Sequence, residues 1–348
     1  MIETPPPEVA LSHNFAFTAI MLSFVIAVTL VFFELAVRFI IPQPELYPRY
    51  RYSERYGHLL PESATIVNEL PSAWRFVYHT NEYGYRVSMP EISNRYDRPN
   101  VVILGDSATF GQGVNDGEEY PLVLAKQLAG EASVVNLGVP SFGLTHEIRT
   151  FYEFGLLFQP AVVVLQFMSN DPDDNFYERV TTVEDGRFHF PRDRSMGSRL
   201  SRLKDWLSGS ILQQSAAYNF VRNYAYAYWQ ARVVGRESAD DKQRKEGFYN
   251  QLLIAFAEDL RRRRIRLVLF DVPGHLAQWP GILGKVEALD RGGLLSYLHT
   301  DPWFEGVTDY GTPEGHAWGA KGHRVVAEHL VAPLRAALEI AKSVQTTR

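Results

Sequence analysis

Four short stretches of this chain carry the residue types that acyl-transfer chemistry needs. Gly105-Asp106-Ser107 ends an apolar run, Val101–Leu104, and Ala108-Thr109-Phe110-Gly111 follows. A serine at a strand-to-helix turn holds its Oγ near a helix start, where the dipole favours developing negative charge. Its own N–H points to where an oxyanion would form. Serine is a weak nucleophile and needs a base. The same tripeptide can instead simply cap a helix, because Asp and Ser are favoured there.

The other three stretches are each ambiguous alone. Asn136 to Gly143 (NLGVPSFG) makes a tight loop whose backbone N–H groups can face outward, Ser141 among them; it can also be an ordinary turn. Asn170, in Ser169-Asn170-Asp171, can donate its amide to an oxyanion without adding charge, or can act as a cap. His316, in Pro313-Glu314-Gly315-His316, sits before the last helical stretch. There it can serve as general base and then acid. Glu314 or Asp309 could orient its second ring nitrogen. His323 and His329 compete with it but fall inside the expected helix. A metal site from His316, His323 and Asp309 lacks any recognised ligand spacing.

The elements that must position these residues are legible as an alternation. Strands are expected at Val101–Leu104, Ser133–Leu137, Ala161–Phe167 and Ile265–Phe270, from short apolar runs bounded by turn residues. Helices are expected at Tyr120–Leu128, Thr145–Phe158, about Glu246–Arg263 and Lys321–Ala341, the last interrupted by Pro333. This pattern predicts an α/β fold with a parallel sheet and helices on both faces. Function then gathers beyond the carboxyl ends of the strands, where Ser107, the 138–141 loop and Asn170 fall. Residues 172–242 break the pattern and read as a helical insertion, with an aromatic helix at Tyr218–Trp229. Arg261–Arg264 reads as a helix C-terminus complemented by cations.

Composition narrows the class. The chain has 348 residues, enough for one large domain or two modest ones, with 46% hydrophobic residues. Its net charge of -5 offers no basic stripe for nucleic acid. It has no cysteine, which excludes disulfides, thiol catalysis and cysteine-ligated metals. Phe15–Phe33 is uncharged and apolar, long enough for a transmembrane anchor spanning 15–41. Glu34 and Arg38 can pair on one face of that helix. Residues 1–14 read as a disordered lead and 42–99 as a connector with a few short strands. Arginines after the anchor (Arg38, Arg49, Arg51, Arg55) argue for a cytoplasmic domain by the positive-inside rule.

Taken in order, the Gly-Asp-Ser, the Gly-containing second loop, the Asn and the late His resemble the SGNH hydrolase superfamily, which includes GDSL-type esterases. The string Val101 to Val114 (VVILGDSATFGQGV) is its most specific part, and the likeness spans about 100–345. Asn81-Glu82-Tyr83-Gly84-Tyr85-Arg86 and the N-terminal helix resemble a bacterial subgroup with one anchor and an extracytoplasmic hydrolase domain. The resemblance implies a flavodoxin-like three-layer α/β/α sandwich. It implies Ser107 as nucleophile, His316 as base, and an oxyanion hole from the N–H groups of Ser107 and Ser141 with the Asn170 side chain; Gly138 and Gly143 are alternative matches in the second loop. It implies an O-acyl ester substrate, small molecule or glycan, and no metal or organic cofactor. Three positions depart from the family pattern. Ser141 stands where Gly is usual, Met168-Ser169 precede Asn170 where Gly-x is usual, and Pro313 stands where an Asp usually precedes the His. Hydrolysis, transfer of the acyl group to a cell-envelope glycan, and an inactive membrane-tethered binding protein are the readings kept open.

Overall fold

The computed structural model describes residues 7–89, 99–191, 211–233 and 238–346. Five strands form the central sheet: β6 (Asn100–Leu104), β7 (Ser133–Asn136), β8 (Pro160–Phe167), β11 (Arg266–Asp271) and β12 (Ser296–Leu298). Their spatial order is β12-β11-β8-β6-β7, and every neighbouring pair is parallel. In order along the sheet this is the flavodoxin-like arrangement, whose direction of winding reverses between β6 and β8.

The sheet strands are apolar throughout because both faces are covered. Val102, Leu104, Val163, Leu165, Leu267 and Leu269 face one core layer. That layer is roofed by α4 (Leu144–Glu153), α7 (Ala239–Arg262) and α8 (Pro280–Arg291). The alternating residues Val101, Ile103, Val162, Val164, Val268 and Phe270 face the opposite layer, covered by α3 (Tyr120–Gln127) and α9 (Ala320–Thr346). The result is a three-layer α/β/α sandwich.

Several elements lie outside the expected set. β12 is a fifth strand, short and only partly apolar (Ser-Tyr-Leu), and it escapes a search for apolar runs. Helix α5 (Asp171–Tyr177) begins with three acidic residues and a proline in its first turn, which suits a helix start but hides its periodicity. The helix expected at Thr145–Phe158 ends at Glu153, and Gly155–Phe158 continues as a 3-10 turn. Helix α7 starts earlier than expected, after the Ser238 cap, whose side chain accepts from Asp241 N–H.

The segment ahead of the sandwich is more than a linker. Strands β1 (Glu45–Tyr47), β4 (Thr65–Leu70) and β5 (Trp74–His79) form an antiparallel sheet, and β2 (Arg51–Ser53) pairs with β3 (Gly57–Leu59). Leu60, Ile66 and Tyr78 from this module pack on Phe110 of α2 (Ser107–Phe110). Residues 90–98 of the connector, and 192–210 and 234–237 of the expected insertion, lie outside the described residues.

Helix α1 (Pro7–Ile40) begins within the stretch read as a lead, and its Phe15–Ile40 portion is long and apolar enough to cross a membrane. Its end is docked. Glu34 accepts from Ser215 Oγ (2.8 Å) and from the N–H groups of Ala216 (3.0 Å) and Ala217 (2.9 Å), capping helix α6 (Ala216–Val233). Arg38, paired with Glu34 at 2.7 Å, donates to Gln214 O.

Candidate active site

The turn from β6 into α2 is dictated by close approach. A Cβ on Gly105 would run into Thr109 Oγ1 and Gln166 Oε1. Asp106 caps α2 by accepting from Ala108 N–H at 3.0 Å. Ser107 then leads the helix, partly exposed while its neighbours are buried.

His316 reaches it from the far end of the chain. Its Nε2 lies 2.9 Å from Ser107 Oγ. The histidine loop is closed on itself: His316 N–H donates to Thr312 Oγ1 (2.8 Å), and Thr312 N–H to His316 O (3.0 Å). Burial, with the nearby charge of His275, lowers the His316 pKa to about 4, so the ring is neutral and its Nε2 can accept. Its Nδ1 is buried and finds no hydrogen-bond partner among the described residues. Neither expected carboxylate orients it. Glu314 Oε2 instead accepts from Asn68 Nδ2 of β4 at 2.8 Å. Asp309 is exposed, with a left-handed backbone (φ 55). The geometry brings Ser107 and His316 together, and Glu314, one of the two candidate orienting carboxylates, faces Asn68.

Asn170, at the end of β8, approaches the same place. Its Nδ2 donates to Asp174 Oδ2 (2.7 Å) and lies 3.4 Å from Asp106 Oδ2, the oxygen that Ser107 Oγ approaches at 3.3 Å. One carboxylate oxygen therefore bridges the serine and the asparagine. Burial raises Asp106 to about 6 and Asp174 to about 7. Met168 Sδ completes the near surroundings, 3.9 Å from Ser107 Oγ.

The second loop discriminates between its three candidate donors. Gly138 N–H is taken by Asn136 Oδ1 (2.9 Å), and Gly143 N–H by His146 Nδ1 (3.3 Å). Gly138 also packs so tightly that a Cβ there would lie 2.6 Å from Phe110 N. Ser141 N–H alone of the three has no partner among the described residues. Phe142 N–H donates to Val139 O (3.1 Å), with Pro140 and Ser141 between them and Ser141 at φ 63. Proline at the second position and a positive φ at the third mark a type II turn. Holding serine left-handed costs about 1–2 kcal/mol.

Residues that sequence reasoning missed hold these loops. Arg86 is fully buried and donates to Phe110 O (2.9 Å), Gly111 O (2.7 Å) and Val114 O (3.0 Å), binding the segment after α2. His58 of β3 donates to Pro140 O (3.0 Å) and meets Glu178 (3.2 Å). His58 carried no signal in a stretch without periodicity, and Arg86 was marked only as the last residue of the Asn81–Arg86 string, with no role attached.

The metal candidate from His316, His323 and Asp309 is not assembled. His323 is buried within α9, where its Nδ1 accepts from Tyr120 N–H at 3.1 Å. Among the described residues, His58, His146 and Glu178 are the group whose ligand-type atoms all lie within 4.8 Å of one another. His329 is exposed and stacks on Trp303. A cavity of about 450 Å³ at the amino-terminal end of β11, lined by Arg261, Arg264, Arg266 and Asp290, lies at the opposite end of that strand from the site.

No family model and no curated protein matches the chain. The chain is similar to several solved structures. An acetylxylan esterase from Geobacillus stearothermophilus is 11% identical, with 67% of this chain and 93% of that chain covered, at a TM-score of 0.40. A psychrotrophic esterase from Pseudoalteromonas sp. is 10% identical over 69% of this chain and 98% of the other, at 0.41. A lipase/acylhydrolase from Enterococcus faecalis is 11% identical over 68% and 96%, at 0.39.

Proposed function

We propose that the chain is a membrane-tethered serine esterase of the SGNH type, acting on an O-acyl ester. The observation that carries this reading is the 2.9 Å contact between Ser107 Oγ and His316 Nε2, beyond the carboxyl end of β6. Ser107 Oγ attacks the ester carbonyl carbon as its proton passes to His316 Nε2. The carbonyl oxygen becomes an oxyanion, met by the N–H groups of Ser107 and Ser141 and by Asn170 Nδ2, which exchanges its long 3.4 Å contact with Asp106 for the oxyanion and keeps Asp174. His316 returns the proton to the leaving alkoxide as the ester C–O bond breaks, leaving an acyl-serine. Water then attacks the acyl carbon, giving its proton to His316; the bond from the acyl carbon to Ser107 Oγ breaks as His316 returns that proton to Oγ, freeing the acid and restoring the serine.

The missing third member of a triad is compatible with this chemistry. The loop contacts with Thr312 hold the ring, and its neutral form leaves Nε2 free to accept the serine proton, although burial makes the resulting imidazolium costly. The Ser107–His316 contact also counts against an inactive binding protein.

Transfer to a cell-envelope glycan is the second reading, and the docked anchor favours it. An anchor that holds the site at a fixed place relative to a membrane suits an acceptor displayed there. Both readings carry an extracytoplasmic domain with them.

The experiment is labelling of the full chain in detergent with a fluorescent alkylphosphonate. Labelling of wild type and its absence in Ser107→Ala supports the reading. Equal labelling of both removes it. Incubation with an acyl donor and a polysaccharide then separates transfer from hydrolysis.

A further inference from the structure

His58, His146 and Glu178 look at first like a two-histidine, one-carboxylate metal site. Their hydrogen-bond partners argue otherwise. His58 Nε2 faces the carbonyl oxygen of Pro140, which only accepts, so Nε2 carries a proton. His58 Nδ1 faces Glu178 Oε2 at 3.2 Å, another acceptor, so Nδ1 carries one as well. His146 Nδ1 accepts from Gly143 N–H, so its proton sits on Nε2, 3.0 Å from the same Glu178 oxygen. Taken as hydrogen bonds, these contacts make a proton-bridged cluster centred on Glu178, with His58 as an imidazolium.

The proton on His58 Nε2 has a destination that matters. Pro140 O belongs to the peptide unit that also carries Ser141 N–H. In a planar trans peptide the C=O and N–H point in opposite directions. Type I and type II turns differ by rotation of this central peptide. Fixing Pro140 O toward His58 therefore fixes Ser141 N–H on the other side. It selects the turn form that serine, unlike glycine, does not favour on its own.

We propose that His58 is a positioning residue for the ester chemistry, its imidazolium clamping the Pro140–Ser141 peptide so that Ser141 N–H faces the oxyanion. This rests on the reading of Ser107 as nucleophile. The titratable groups around His58 are Glu178 and Asp174, His146 on α4, and Tyr50 ahead of β2. Burial alone would depress the His58 pKa; the hydrogen bond and charge of Glu178 outweigh it and hold the pKa above the ordinary value of 6.5. Glu178 is in turn held well below the usual carboxylate range: burial works against this, and both histidines overcome it. As pH rises through the raised pKa, His58 loses one N–H. Its bare Nδ1 then faces the Glu178 carboxylate, whose repulsion weakens the hold that Nε2–H keeps on Pro140 O.

The test uses the full chain in detergent, with p-nitrophenyl acetate as substrate and phosphonate labelling as the control. His58→Phe is expected to lower kcat by about tenfold to a hundredfold while KM stays nearly unchanged. His58→Gln keeps an N–H that does not titrate. It is expected to recover most of that rate and to lack the alkaline fall in kcat that the clamp predicts for wild type. Ser141→Gly in the His58→Phe background is expected to restore rate, because glycine adopts the required turn unaided. That rescue would not arise from a general loss of folding. Unchanged kcat in His58→Phe, an alkaline fall that persists in His58→Gln, or activity lost to a chelator and regained with zinc would each overturn the clamp. If Ser107 is labelled while these fail, only the clamp falls; if Ser107 is not labelled, the esterase reading falls and takes the clamp with it.

Discussion

Asn68 Nδ2 donates to Glu314 Oε2 at 2.8 Å, joining the small N-terminal sheet to the loop that carries His316. The carboxylate closest in sequence to the histidine is thus spent on tethering its loop. Glu314→Gln, which can still accept from Asn68, is expected to keep kcat within about threefold of wild type, and Asp309→Asn to change nothing. His316→Ala should lose about 10³-fold or more, as removal of a serine's base does. Steady-state esterase assays on the three variants distinguish a pair from a triad. A large loss in Asp309→Asn would restore the triad.

The acidic side of the pH profile follows from burial of His316. The base works only when neutral, and its pKa is lowered to about 4. The rate therefore persists well below pH 6.5, where an ordinary histidine would fail. A shallow inflection near 6, where Asp106 takes up its proton, precedes the main fall and should vanish in Asp106→Asn. Measuring kcat/KM from pH 3.5 to 7 checks both; a single limb centred near 6.5 contradicts them.

Asn170 is held between two carboxylates, Asp174 and Asp106. Asn170→Ala should lower kcat by about 10²–10³-fold, the usual consequence of losing one oxyanion donor. Asp174→Ala leaves the donor in place but unrestrained, so its effect should be smaller, near tenfold. Equal losses in the two variants would mean that Asn170 is only a helix cap.

Arg86 tests the contribution of the N-terminal module to stability. Its guanidinium is fully buried, satisfies three carbonyls, and pairs with Asp116 at 3.1 Å. Removing a buried charge's partner typically costs about 3–5 kcal/mol, and Arg86→Ala takes a donor from three carbonyls and the nearby cation from buried Glu119 (3.6 Å), while Asp116 keeps His79. Arg86→Lys should recover only part, since one ammonium cannot reach the same fork of acceptors. Thermal unfolding of the detergent-solubilised chain reads this directly; a change in melting temperature too small to resolve would show that the carbonyls find other donors.

Ser141→Gly alone gives a different signature. It relieves the left-handed strain of about 1–2 kcal/mol and adds about 0.5–1 kcal/mol of backbone entropy to the unfolded state. A small net gain in stability with kcat retained is expected, measured by thermal melts alongside activity. A clear loss of stability would point to an unrecognised contact of the serine hydroxyl.

The sandwich was readable because a doubly covered parallel strand must be apolar, and Val101–Leu104 and Ala161–Phe167 are. Gly105-Asp106-Ser107 was readable because a strand must end where its apolar run does. The pairing of Ser107 with His316 was implied by the family resemblance; topology alone placed Ser107, the 138–141 loop and Asn170 at one rim and left His323 and His329 as competitors. What escaped was set by contacts rather than by pattern. β12 is too short to show a period. His58, Asn68 and Arg86 sit in a module of short antiparallel strands, where each residue's role depends on a loop more than fifty residues away or, for Arg86, on a turn that follows an unpatterned stretch. The partner of Glu314 was equally invisible, because proximity in sequence to His316 says nothing about which way a carboxylate turns.

The capping of α6 by Glu34 bears on reach. A domain on a slack leash explores a hemisphere and meets partners at a concentration set by the leash. Here Glu34 ties the end of α1 to α6, and Arg49 of the following segment meets Asn219 of the same helix; with α1 seated in a bilayer, these contacts shorten the free leash and narrow the heights open to the mouth around Ser107. Acyl esters carried at those heights would be scanned by lateral diffusion, and those held much higher or lower would escape. Cutting the Glu34 tie with Glu34→Ala, while leaving α1 intact, would widen the band of accessible heights rather than change the chemistry.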